Sequence, residues 1–109
     1  MKVILLPEVL QYLEDLATLL YKKEYFSFEE TSFIYIMELY DDIILNLPTK
    51  IHKPSPTYFD KYGNNMYYAA FKKSKRTSWY VFFTKYEDNG DIIYLIRYIS
   101  NNHVIAQYL

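Results

Sequence analysis

Four cations, Lys72, Lys73, Lys75 and Arg76, interrupt two apolar runs in the stretch AAFKKSKRTSWYVFF, residues 69 to 83. Such a knot fits two readings: the tip of a tight hairpin solvated by its lysines, or one wall of a site that holds a phosphate. Arg97 is a further cation, set in the later apolar run DIIYLIRYIS. A guanidinium aimed between a sheet and its helical cover would need a buried partner at a cost of several kcal/mol, so Arg97 is expected on the open face of its sheet. By the same logic Arg76 puts Ser78, Tyr80 and Phe82 on the open side and leaves Trp79, Val81 and Phe83 for the core. Lys72, Lys73 and Lys75 then lie at one edge of that face. Cations interleaved with tyrosines suit RNA, because ammonium and guanidinium groups neutralise phosphates while rings stack on unpaired bases. Lys75, Tyr80 and Lys85 are the candidate contacts of that kind.

His103 follows Arg97 by six residues and could reach the same edge as a proton donor or acceptor near neutral pH. A histidine in that position also reads as a cap or a plain surface residue. Asp41 and Asp42 are neighbours on a helical pattern and project about 100° apart, which suits a solvated face better than an acid/base dyad. Glu29 and Glu30 are accounted for by a helix N-terminus.

The elements that must position these residues follow from periodicity. KVILL (2–6) reads as a strand that stops at Pro7, where the first helical turn begins. Val9, Leu10, Leu13, Leu16, Ala17 and Leu20 mark a buried helical face from about Pro7 to Lys22. SFEE (27–30) has the form of a capping box, and Phe33, Ile36, Met37, Tyr40, Ile43, Ile44 and Leu47 mark a second helix from about Phe28 to Leu47. Few residues join the two, so an antiparallel helical hairpin is expected. Residues 48 to 65 hold three prolines and one glycine and read as a connecting loop. MYYAAFKK (66–73), RTSWYVFFTKY (76–86) and DIIYLIRYIS (91–100) read as three antiparallel strands, joined by a close turn at Ser74-Lys75 and a type I′ turn at Asn89-Gly90. Asn101 or Asn102 can begin a short closing helical turn. The expected fold is α+β, with an N-terminal strand and a helical hairpin packed on one face of a small, mostly antiparallel sheet. Both faces of the later strands are apolar, and one helical layer covers one face only; the other is expected to meet a partner.

Composition narrows the classes of function. The chain has 109 residues, the size of one domain, and it is read as a single domain spanning 1–109. Without cysteine it forms no disulfide and no thiolate metal site, two histidines are too few for an imidazole cage, and no metal or other cofactor is implied. Two glycines rule out a Gly-rich phosphate loop. Pro7 and Glu8 cut the first apolar run short of a signal segment or membrane span, so an unexported, cytoplasmic protein with no membrane partner is expected. The net charge of −1 conceals an asymmetry: residues 1 to 47 carry three lysines and nine acids, residues 48 to 109 nine cations and four acids. The second half is the one suited to a polyanion.

The order strand, helical hairpin, three antiparallel strands, with cations at 72 to 76 and an arginine on the last strand, resembles the RelE/ParE superfamily of bacterial toxins from type II toxin-antitoxin modules. KRTSWYVFF is similar to that family's strand beginning with an arginine and running into aromatics, and YLIRYISNNHVIAQYL to its last strand and closing segment. The resemblance covers nearly the whole chain. It implies a cognate antitoxin as partner and one of two activities. RelE-like members cut messenger RNA on the ribosome without a metal; by position, Lys72, Lys73, Arg76 and Arg97 would stabilise the phosphorane, and His103 or Tyr108 would serve as the terminal acid or base, Tyr108 also counting among the RNA contacts. ParE-like members keep the fold and bind DNA gyrase instead. A toxin-fold interaction module without catalysis is the third alternative.

Overall fold

The computed structural model describes all 109 residues. In chain order it has β1 (Lys2–Leu5), α1 (Pro7–Lys22), α2 (Glu29–Asn46), β2 (Lys53–Pro54), β3 (Tyr67–Lys72), β4 (Ser78–Asp88), β5 (Asp91–Asn101) and α3 (Asn102–Ile105), with 3₁₀ turns at Leu47–Thr49, Thr57–Tyr62 and Ala106–Tyr108. One five-stranded sheet runs in the order β1-β5-β4-β3-β2. β1 lies parallel to β5 and every other pairing is antiparallel, so the sheet is mixed. The expected α+β arrangement therefore forms, with the helical hairpin on one sheet face. No helix is long and apolar enough to cross a membrane.

Pro7 occupies the first turn of α1, where its fixed φ is already helical and its missing N–H is not needed. α1 buries Val9, Leu13, Leu16 and Ala17, and α2 buries Ser32, Ile36, Leu39 and Ile43. The apolar stripe read from the sequence is wider than the face that packs: Leu10, Phe33 and Met37 stay 42, 52 and 50% exposed, while Leu39, outside the expected stripe, is fully buried. The SFEE capping box does not form. Phe28, not Ser27, is the residue at the cap of α2, and no side chain caps it. The helices are tied instead by the buried Ser32 hydroxyl, which donates to the Ala17 carbonyl.

Against the helices the sheet presents Ala69, Phe71, Trp79, Val81, Phe83, Tyr94, Ile96 and Ile99, which complete the main core. Trp79 Nε1 donates to the Tyr35 hydroxyl of α2 at 2.9 Å, so the largest core side chain leaves no polar atom unpaired. The opposite face differs from expectation, because the chain largely covers it with its own segments. Residues 48 to 65 are more than a connector: Lys53–Pro54 adds an edge strand, and the 57–62 turn lays Phe59 on the sheet. Phe59, Met66, Phe82 and Ile105 form a second buried cluster, ringed by Tyr62, Tyr68, Tyr80 and Tyr98.

A bulge in β5 sets what reaches this second face. Phe82 pairs with Tyr98 and Phe83 with Ile96, which leaves Arg97 as the extra residue. Side-chain alternation restarts there, so Ile99 faces the helices although it shares parity with Arg97. Asn89 and Gly90 have φ of 52° and 82°, the two positive values that a type I′ hairpin turn needs.

Candidate nucleic-acid interface

The β3–β4 turn and the chain's closing segment are sewn together by one amide. Asn102 Oδ1 accepts from the Ser78 amide at 2.9 Å, and its Nδ2 donates to the Arg76 carbonyl at 2.9 Å. Asn101 caps α3 by accepting from the Val104 amide at 3.3 Å, which holds His103 beside the turn. His103 Nε2 is 3.1 Å from the Thr77 hydroxyl. Within the turn, Ser74 Oγ accepts from the Thr77 amide at 3.1 Å, so the loop bearing Lys75 and Arg76 is closed upon itself. Lys72, opposite Ser78, projects on the same face as Tyr80, which is paired with Ala70 and Ser100. Lys72, Lys75, Arg76, Tyr80 and His103 are thus gathered at one end of the second sheet face.

Next to them lies an open groove of about 630 Å³. Tyr68, Ala70, Tyr80 and Lys53 of β2 line it from the sheet, Lys50 and Ile51 from the segment that leads into β2, and Leu109 from the closing turn. No acidic side chain lines it. Lys53, paired with Tyr68, faces the groove, whereas the Lys50 ammonium lies 4.8 Å from the Phe71 ring on the helical side. Aromatic rings edged by ammonium groups can bind a single-stranded phosphate chain, the rings taking bases and the cations neutralising charge.

The other residues singled out from the sequence lie elsewhere. Lys73 places its ammonium 5.7 Å above the Tyr35 ring, on the helical side. Lys85 likewise faces that side, 4.6 Å from the Tyr67 ring. Tyr108 stacks on Tyr58 at 3.7 Å with an angle of 7°, which commits one ring face to the 57–62 turn. The Tyr58 hydroxyl is held below the ordinary tyrosine range by the bond from Tyr108 and then by Lys61, and Tyr108 is correspondingly raised.

Arg97 does project from the second face, but away from the hairpin. Its Nε donates to Thr84 Oγ1 at 2.6 Å and its Nη2 to the Tyr86 hydroxyl at 2.7 Å, both further along β4 from the 73–77 turn. At about 3.3 Å per residue it starts roughly 20 Å from Arg76. The four cations and the histidine read from the sequence as one catalytic set therefore do not converge.

No protein-family model, curated protein or solved structure matches this chain. Sequence reasoning passed over Lys50, Lys53 and Tyr68, and saw Asn102 only as a residue that could begin the closing turn, not as a clamp. Lys50 and Lys53 had a usable signal, since KIHK is a basic island between prolines beside an apolar sheet. Asn102 had none, because its two bonds exist only once the hairpin folds back on the closing segment. His52, near the same island, is a packing residue: Nε2 meets the Leu47 carbonyl at 2.8 Å and the ring lies edge-on to Phe83.

Proposed function

We propose that this chain is an RNA-directed toxin of a type II toxin-antitoxin module, cutting messenger RNA on the ribosome without a metal. The observation that carries this reading is the groove of Tyr68 and Tyr80 edged by Lys53, with no acidic side chain in its lining, opening beside Lys72, Arg76 and His103. The order of elements, a strand and helical hairpin followed by antiparallel strands and a short closing helix, supports it as the RelE/ParE-like arrangement.

In the proposed reaction the ribose 2′-oxygen attacks its own 3′ phosphorus while the P–O5′ bond breaks, leaving a 2′,3′-cyclic phosphate and a 5′-hydroxyl. Lys72 and Arg76 offset the charge that grows on the phosphorane oxygens, a contribution worth about 10²–10³ in rate per donor in comparable sites. His103, oriented by Thr77, handles a proton at the attacking or leaving oxygen. The partner is a cognate antitoxin. A shallow groove on the outside of the helical hairpin, lined by Leu10, Phe33, Met37 and Tyr40 with Glu14 beside them, supports an apolar partner segment carrying basic residues.

A second reading, binding of DNA gyrase in the manner of ParE, is favoured by the divergence of Arg97 from the hairpin. Cell-free translation with mapping of messenger ends separates the two. Codon-phased cuts that fall at least about tenfold in Lys72→Ala, Arg76→Ala and His103→Ala, and persist in Arg97→Ala, support the nuclease. Intact messenger together with arrested gyrase supports the binder, and no effect on either leaves a non-toxic interaction module.

A further inference from the structure

Between the start of α1, the close of the 57–62 turn and the β5 bulge lies a pocket of about 310 Å³, away from the hairpin cluster. Its cationic groups are Arg97 and Lys61, and Tyr12, Tyr62 and Tyr98 supply rings and hydroxyls. Arg97 is half-buried yet has no carboxylate partner, since no acid lies within ion-pair distance of it or of Lys61. Of the five N–H groups of its guanidinium, only the two directed at Thr84 and Tyr86 find protein acceptors, and both acceptors are neutral hydroxyls. A partly buried cation without a counter-ion is costly to maintain, and an oxyanion supplied from outside removes that cost.

The rest of the pocket suits a flat apolar body. Tyr62 and Tyr98 stack at 3.9 Å and 6° to make one planar wall, and Leu6, Val9 and Ile99 make an apolar one. Burial pushes the hydroxyls of Tyr12 and Tyr62 up to about 12. Tyr12 has no protein acceptor for its hydroxyl proton and can donate to a bound oxygen. The one acid that lines the pocket, Glu8, is exposed.

We propose that this pocket binds a small organic oxyanion, a carboxylate or phosphate monoester borne on an aromatic ring, with Arg97 and Lys61 meeting the charge and the tyrosine stack meeting the ring. The site is separate from the RNA groove, so it stands whether or not the chain cuts RNA.

The test is an NMR titration of the full chain with benzoate, phenyl phosphate and benzyl alcohol at constant ionic strength. Saturable shifts at the Arg97 Nε–H and at the Tyr62 and Tyr98 rings are expected with one or both anions, at least about tenfold tighter than with the neutral alcohol. A preference between the two anions assigns the head group. Lys61→Gln, at an exposed position, should weaken binding about threefold or more, Arg97→Gln about tenfold or more, and Glu8→Gln should tighten it by removing the one repulsive charge. Equal binding of benzyl alcohol, no saturation by about 10 mM, or affinity unmoved by both Arg97→Gln and Lys61→Gln overturns the proposal.

Discussion

Arg97 is held on several sides at once, which makes its neighbourhood sensitive to single atoms. A Cβ added at Gly63 would sit 2.6 Å from Arg97 Cδ and 3.3 Å from the Met66 sulfur, so the end of the 57–62 turn crosses this side chain only because residue 63 has none. Gly63→Ala should destabilise by about 1–3 kcal/mol in urea unfolding, as overpacking does elsewhere. Because the clash is with Arg97, the same change in an Arg97→Ala background should cost less, and a double-mutant cycle reads the difference. Tyrosine titration gives a second prediction at this scale. With Tyr12 and Tyr62 raised to about 12 in the folded chain, their unfolded forms release protons first. The stability they contribute is fully present below about pH 10 and is lost as pH rises towards about 12. Tyr58 and Tyr86, lowered by hydrogen bonds from Tyr108 and Arg97 respectively, act in the opposite direction, so the effect is isolated by difference. The loss in urea midpoint between pH 9 and 11 should be smaller in Tyr62→Phe than in the unsubstituted chain.

At the scale of elements, the 57–62 turn works as a layer of the structure. Phe59 is fully buried and packs on Phe82 with ring centroids 4.4 Å apart, so Phe59→Ala should cost about 3–5 kcal/mol in chemical denaturation, where a dispensable loop residue would cost under 0.5. That layer was not legible in advance. Its aromatics sit in a proline-rich stretch at a spacing matching neither helix nor strand, and turn chemistry dominates such a segment when read locally. The helical hairpin and the three long strands were legible because each carries its own periodicity over many residues. The β5 bulge was not, since one extra residue leaves the apolar pattern looking continuous. It changes the face of every residue beyond it, which is why Arg97 and Ile99 part company. The hairpin end of the candidate site was readable from its cations, whereas its clamp, Asn102, and its further cation, Lys53, depend on contacts between distant parts of the chain. Asn102→Ala should loosen the 73–77 turn, seen as faster amide exchange at Ser78, which loses its acceptor.

For the whole molecule, a net charge of −1 is a poor guide to how it would meet a polyanion, because the acids crowd the helical half and the cations the sheet half. If Lys53, Lys72 and Arg76 each neutralise one phosphate, log affinity for single-stranded RNA should fall against log salt with a slope of about −2. Lys53→Ala should flatten that slope by about 0.7. A slope near zero would place the RNA contacts elsewhere. The parallel pairing of β1 with β5 acts on a different axis, time. Residues 2 to 5 pair with residues 93 to 96, so β1 has nowhere to dock until β5 has emerged. A nascent chain stalled before β5 leaves that strand unpaired and one flank of the helical hairpin unsupported, and should be cut readily by protease. Whatever this fold does to its target, it cannot begin until β5 has left the ribosome.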